Sequence, residues 1–188
     1  KDYRDVNPEF GDKAAFKSLV EAIHARGMRV ILDWVANHSA WDNPLTETRP
    51  DLYERDDDGD LVPPHGTDWT DVVQFDINHP GLADYHIGAM RYWIETYDVD
   101  GFRCDYALGL PMSFWNEVNA ALREVKPELF MLAESDSGAM HLEAFDLTYG
   151  WKVMHQFDRI AQGKAPANSL DAILADRQLV RQPAQAAP

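Results

Sequence analysis

The sequence has little of several features that mark large classes of proteins. It contains a single cysteine, Cys104, so no disulfide can form within its 188 residues. Lys and Arg number only 17 against 32 Asp and Glu, which gives a formal net charge of −15. This charge would repel a polyanion such as nucleic acid and an anionic membrane surface. By elimination, the composition favours neutral ligands.

Long apolar runs and common cofactor motifs are also missing from the sequence. No apolar run approaches the roughly 18 residues of a membrane-spanning helix. There is no Gly-rich phosphate loop, no paired-Cys metal motif and no zinc-type pair of histidines. We therefore expect a soluble protein without a membrane partner, and the sequence leaves open whether it is cytoplasmic or secreted.

What the sequence does contain is a recurring unit of a short apolar run that ends in a carboxylate. There are three such runs, at residues 28–33 ending in Asp33, 99–105 ending in Asp105, and 130–134 ending in Glu134. Helix-like segments separate the runs, as expected for parallel strands joined by crossover helices. The three carboxylates should therefore meet at the carboxyl edge of one sheet, where barrels of this kind carry their chemistry.

Arg103 distinguishes two of these carboxylates from each other. Strand alternation places Arg103 and Asp105 on the same face, so that a permanent cation lies beside Asp105. Glu134 has no basic residue near it in sequence. One ionised and one protonated carboxyl group facing each other is the equipment of glycoside hydrolysis. The alternative is that both are solvated strand-end carboxylates or helix caps.

The residues around these carboxylates resemble a known family. The patterns Asp33-x-x-x-Asn37-His38, Gly101-Phe102-Arg103-x-Asp105 and Glu134 are similar to three of the four ordered signature regions of the α-amylase family of retaining glycosidases. A shorter match at residues 74–78, Gln-Phe-Asp-Ile-Asn, resembles a fifth region. The similarity extends from about Asp2 to about Arg177.

The resemblance implies a role for each matching residue. Asp105 would be the nucleophile, Arg103 its partner, and Glu134 the general acid and base. His38 would contact the sugar at the cleavage point, and Asp33 would be a structural carboxylate near the site.

The resemblance also implies a calcium site. Asn37 would be a ligand, with Asp76 or Asn78 as nearby oxygen donors. From the residues alone, a His and an Asn after a strand are more often hydrogen-bonding residues of a loop than ligands. Trp69 is a candidate for stacking on a sugar, although aromatic residues in a long loop more often close its own small core.

Two departures from the family pattern limit what can be carried over. Leu108 and Gly109 stand where much of the family has a Lys-His pair, so that a sugar contact is missing and only the Gly109 carbonyl could serve a calcium ion. The fourth signature region, which supplies a second catalytic Asp, has no counterpart in this sequence.

Together these features predict an α/β fold, specifically a partial (β/α)8 barrel of the TIM type. A complete barrel needs about 250 residues. We assign residues 1–181 to a partial catalytic barrel with a long loop inserted at about 39–77, and residues 182–188 to a flexible tail. On its own, such a partial barrel is expected to be inactive or weakly active.

The resulting functional prediction is a glycoside hydrolase that cleaves α-1,4-linked glucans, such as starch and maltodextrins, by a retaining double displacement. Its partner would be an α-glucan oligosaccharide or polysaccharide. A transglycosylase, or a non-catalytic sugar-binding or scaffold member of the same fold, remains an alternative.

Overall fold

A computed structural model describes residues 2–175 as an α/β structure built on a parallel sheet. The strands are β1 (Ile31–Val35), β2 (His38–Ala40), β3 (Val72–Gln74), β4 (Gly101–Asp105), β5 (Phe130–Ala133) and β6 (Leu147–Thr148). The helices are α1 (Lys13–His24), α2 (Leu45–Thr48), α3 (Leu82–Tyr97), α4 (Met112–Val125), α5 (Ala139–Glu143), α6 (Trp151–Ala161) and α7 (Leu170–Leu174).

Four strands form the parallel sheet in the order β1-β4-β5-β6. The register places Asp33 opposite Arg103 and Val35 opposite Asp105. Gly101 is required at the start of β4, because a Cβ atom there would lie 1.9 Å from the carbonyl oxygen of Phe130. This close approach sets β4 and β5 side by side with their carboxyl ends level.

Helices α3 and α4 cover one face of the sheet and complete its core. Phe102, Cys104 and Met131 point from β4 and β5 into this layer and are fully buried. Alternation along β4 therefore leaves Arg103 and Asp105 on the other face, as the sequence predicted. Burial raises the pKa of the Cys104 thiol, which suits a structural role and not a reactive one.

Helix α1 begins and ends where its sequence signals indicate. The Asp12 side chain accepts a hydrogen bond from the backbone N–H of Ala15, as an N-cap should. The helix ends at His24. Gly27 then takes a φ of +71°, a conformation that favours glycine and turns the chain toward β1.

The predicted long loop at 39–77 has secondary structure of its own. Strands β2 and β3 pair antiparallel as a small second sheet, with α2 between them in sequence. Tyr53 is buried and stacks on Phe75 with ring centroids 4.6 Å apart, so this aromatic ring closes a local core. The long connection between β1 and α3 is therefore a compact segment with its own small core.

The last described strand is short. Only the two residues of β6 pair with the sheet, and α6 begins directly after Gly150. The predicted tail 182–188 lies outside the described residues. Within residues 2–175, no helix is both long and apolar enough to cross a membrane.

An ion-pair cluster closes the amino end of β4, on the edge opposite the predicted site. The Asp100 carboxylate accepts hydrogen bonds from His24 Nε2 at 2.8 Å, Arg29 Nη1 at 2.9 Å and the Val30 backbone N–H at 2.8 Å. Lys126 Nζ lies 3.4 Å away. Burial acts to raise the pKa of Asp100, but these hydrogen bonds outweigh it and hold the pKa well below its usual range.

The Asp100→Asn substitution should lower the free energy of unfolding by about 2 kcal/mol, because charge-assisted hydrogen bonds to a buried carboxylate are lost. Because the pKa of Asp100 is depressed in the folded protein, the wild type should show its full advantage in unfolding free energy above about pH 4, where the unfolded carboxyl group is ionised. This advantage should shrink at lower pH. Urea denaturation of both proteins from pH 3 to 7 measures the difference in unfolding free energy.

Asp98→Asn is the matched control for this prediction. Asp98 also pairs with Lys126, at 2.7 Å, but its side chain is 73% exposed. Exposed pairs contribute little, so the control should change stability by about 0.5 kcal/mol or less. Equal effects from the two substitutions would contradict a special role for Asp100.

Candidate active site

Three acidic side chains meet at the carboxyl edge of the parallel sheet. Asp33 lies within β1, Asp105 ends β4, and Glu134 follows β5 directly. Because these strands are neighbours in the order β1-β4-β5, the acids come from three adjacent positions along one edge. The sequence prediction that the carboxylates converge is therefore confirmed.

The Arg103 guanidinium binds all three carboxylates. Its Nη1 donates to Asp105 Oδ1 at 2.6 Å and to Asp33 Oδ1 at 2.8 Å, and its Nη2 lies 2.9 Å from Glu134 Oε2. Its Nε donates to the hydroxyl of Tyr149 at 3.0 Å. Burial alone would lower the pKa of Arg103, but its partners outweigh burial and raise the pKa, so the group stays cationic.

This arrangement corrects one part of the sequence argument. Glu134 was expected to lack a cation because no basic residue is near it in sequence, yet it shares Arg103 with Asp105. Its Oε2 atom also accepts a hydrogen bond from the backbone N–H of Tyr106 at 2.9 Å. The two carboxylates therefore differ in their further partners, and not in having or lacking the cation.

His38 and Trp69 lie together beside this cluster. His38 opens β2, and its ring centroid is 5.3 Å from that of Trp69. Burial lowers the pKa of His38, against the opposing effect of Asp105 and Asp71. The imidazole is therefore neutral at pH 7 and can donate one hydrogen bond and accept another.

Two residues that the sequence did not single out support the end of β1 and the turn to His38. The Tyr3 hydroxyl donates to the carbonyl oxygens of Val35 and His38, at 2.6 and 3.1 Å. Fully buried His86 accepts a hydrogen bond from Trp34 Nε1 through its Nδ1 atom at 3.2 Å. Burial lowers the pKa of His86 to about 3, which keeps it neutral in this apolar layer.

The three residues predicted to bind calcium line one cavity of about 320 Å³. Asn37, Asp76 and Asn78 share it with Gln74, among others. Asn37 is buried, and its amide forms two hydrogen bonds with the amide of Gln74, at 3.2 and 3.4 Å. Asp76 Oδ1 accepts from the Asn78 backbone N–H.

These contacts do not by themselves assemble a calcium site around Asn37. Its side-chain oxygen accepts one hydrogen bond from the Gln74 amide and keeps a second lone pair, whereas calcium requires six to eight oxygen ligands. Within residues 2–175, no group of three or more His, Cys, Asp or Glu side chains is arranged to hold a metal ion. Gly109 packs against Asn37, since a Cβ atom at position 109 would lie 2.5 Å from Asn37 Oδ1.

Tyr149 and Tyr106 are the site residues that sequence reasoning missed. Tyr149 follows β6, the next strand along the sheet, so the rule that strand ends meet at the site could have found it if this two-residue strand had been recognised. Tyr106 directly follows Asp105, but nothing in its sequence context indicates that its backbone N–H reaches Glu134.

Comparisons with known proteins agree with this architecture. The family profile described as "Alpha amylase, catalytic domain" matches residues 1–56. A cyclomaltodextrinase from Geobacillus thermopakistaniensis is 31% identical over 164 residues, which cover 74% of this chain and 26% of that protein. The chain thus spans about a quarter of the length of this relative.

Solved structures extend the likeness over nearly the whole chain. A maltogenic α-amylase from Thermotoga neapolitana superposes with a TM-score of 0.85 and 36% identity, covering 96% of this chain and 42% of that one. An α-amylase from Lactobacillus plantarum gives a TM-score of 0.85 and 35% identity, covering 94% and 45%. The parallel sheet with its crossover helices is therefore part of a (β/α)8 barrel, and the chain belongs to the α-amylase family.

Proposed function

We propose that this protein is a glycoside hydrolase that cleaves α-1,4-linked glucans by a retaining double displacement. The observation that supports this most is the shared guanidinium, since Asp105 and Glu134 contact Arg103 at 2.6 and 2.9 Å from neighbouring strands. Retaining glycosidases need two carboxyl groups held close together on either side of the bond to be cleaved. A single rigid cation between two strand ends is a means of holding them.

Glu134 and Asp105 have different roles in each of the two steps of this reaction. In the first step, Glu134 gives a proton to the glycosidic oxygen while an oxygen of Asp105 bonds to the anomeric carbon, and the bond to the leaving sugar breaks. In the second step, Glu134 takes a proton from water, which attacks the same carbon and releases Asp105. Arg103 stays charged throughout and fixes both carboxylates in place.

The substrate class is proposed from the relatives and from the charge of the chain. The similar proteins are named cyclomaltodextrinase and maltogenic α-amylase, so α-glucans are the sugars we propose here. A neutral glucan suits a chain with a net charge of −15. His38, neutral and beside Asp105, would donate a hydrogen bond to a hydroxyl group of the sugar at the cleavage point.

Asp105→Asn and Glu134→Gln should each lower the kcat for maltodextrin hydrolysis in the full protein by at least about 10²-fold, because each removes a group that bonds to or protonates the substrate. Release of reducing sugar measures the rate. Asp57→Asn, the same change at an exposed site, is the control and should leave the rate unaltered. Undiminished turnover by either variant would sink the assignment and favour a scaffold role.

Retention predicts the configuration of the first product. Proton NMR during hydrolysis of a maltodextrin should show the α-anomer of the new reducing end before mutarotation adds the β-anomer, because two displacements restore the original configuration. Initial formation of the β-anomer would instead require a single displacement and rule out Asp105 as a nucleophile.

His38→Ala should raise the KM for maltodextrin about tenfold through loss of one hydrogen bond, whereas His38→Gln should retain most of the affinity. Because the pKa of His38 is lowered, the wild-type KM should be constant from pH 8 down to about 6.5 and rise only at lower pH, as the imidazole becomes protonated. The glutamine variant should lose that rise. A KM that is equally sensitive to pH in both proteins would assign the titration to another group.

A further inference from the structure

Tyr106, the residue after Asp105, has an unusual backbone conformation. Its φ of 42° and ψ of 49° lie in the left-handed region, which is uncommon for a residue with a bulky side chain. Asp98 is the other non-glycine residue with positive φ within the described part of the chain. Strained conformations of this kind persist where the surrounding contacts require them, and they cluster at functional sites.

Two sets of contacts hold Tyr106 in this conformation. Its backbone N–H donates to Glu134 Oε2 at 2.9 Å. Its ring packs over Gly109, where an added Cβ atom would lie 2.5 Å from the Tyr106 Cδ1 atom, and it meets Trp69 edge to face with centroids 5.3 Å apart. The residue nevertheless remains 41% exposed. The ring is thus fixed by its neighbours while much of its surface is open.

The neighbours of Tyr106 connect it to the proposed catalytic residues. The ring centroid of Trp69 lies 5.3 Å from that of His38 and 5.3 Å from that of Tyr106. Through its backbone N–H, Tyr106 binds Glu134, the group that would protonate the departing sugar. The backbone of Tyr106 therefore contacts the acid that would face the leaving group, and its ring packs beside Trp69.

We infer that the Tyr106 ring is a stacking platform for the first glucose unit on the leaving-group side, and that it makes the enzyme select substrates with a sugar there. The inference rests on the proposed function. A glucose ring has apolar C–H faces and a rim of hydroxyl groups, so a fixed, open aromatic ring can pack against its face. In the second step, the same platform would hold a sugar acceptor in competition with water.

Two substrates test whether the role of Tyr106 depends on a group on the leaving-group side, and a binding measurement then separates the platform from the positioning of Glu134. Maltotetraose places sugar on the leaving-group side, whereas α-maltosyl fluoride has only fluoride there. In the full protein, Tyr106→Ala should lower kcat/KM for maltotetraose about tenfold, the effect of losing one aromatic contact, and change that for the fluoride less than about twofold. Tyr106→Phe should behave like the wild type. Because alanine, like tyrosine, is an L-residue with a Cβ atom, the left-handed backbone at position 106 is similarly strained in the variant and in the wild type.

A control variant and a binding measurement complete the experiment. Met28→Ala removes an apolar side chain that is 51% exposed at the opposite edge of the sheet, and it should alter neither rate. By calorimetry, maltotetraose should bind Asp105→Asn about tenfold more tightly than the double variant Asp105→Asn with Tyr106→Ala. This binding comparison does not depend on turnover.

The outcomes distinguish failure of the platform from failure of the proposed function. Because fluoride departs without protonation, a displaced Glu134 would also spare the fluoride, so the binding comparison decides between the two roles. Unchanged affinity for maltotetraose in the double variant would show that Tyr106 acts only by positioning Glu134, and no loss of kcat/KM on maltotetraose would show that the ring does not contact sugar. Each result would overturn the inference. A wild-type protein that binds maltotetraose through Tyr106 but hydrolyses neither substrate would refute the hydrolase proposal and leave the platform standing.

Discussion

The contact of one guanidinium with three carboxylates is the interaction on which the site depends. Arg103 can reach Asp33, Asp105 and Glu134 together because β1, β4 and β5 lie side by side in parallel with level ends. Three carboxylates this close would repel one another strongly without a cation between them. The planar guanidinium offers several donors in a fixed geometry, which an ammonium group does not. Lysine at this position would supply the charge but not the arrangement.

The surroundings of the site give each acid a different environment despite the shared cation. Asp33 is 66% exposed at its side chain, whereas Asp105 and Glu134 are 28% and 26% exposed. Glu134 additionally accepts a hydrogen bond from a backbone N–H, and Asp105 acts electrostatically to raise the pKa of His38, against the effect of burial. Two acids that are half-buried and differently hydrogen-bonded can take different roles in a reaction. The more exposed Asp33 suits the structural role that the family resemblance implied for it.

Much of this arrangement could be predicted from sequence, because it depends on strand periodicity. Alternation placed Arg103 and Asp105 on one face, and the parallel order brought Glu134 to the same edge. Sequence reasoning was weaker where a contact depends on how loops fold. The Arg103 contact with Glu134 joins residues 31 positions apart, and the Asn37 amide pair with Gln74 joins residues 37 apart. The left-handed conformation of Tyr106 follows from tertiary contacts that override the ordinary preference of tyrosine.

Strand β4 carries charged contacts at both of its ends, and this has a consequence for strand pairing. Asp100 is bound by His24 and Val30 at the amino end, while Arg103 is bound by acids at the carboxyl end. A slip by one residue would move Arg103 into the helix layer, and a slip by two would pull Asp100 roughly 6.6 Å from its partners. The strand is therefore pinned against sliding in either direction. Loops farther beyond its carboxyl end, past Tyr106, can therefore diverge without changing the strand register that aligns Arg103 with the acids.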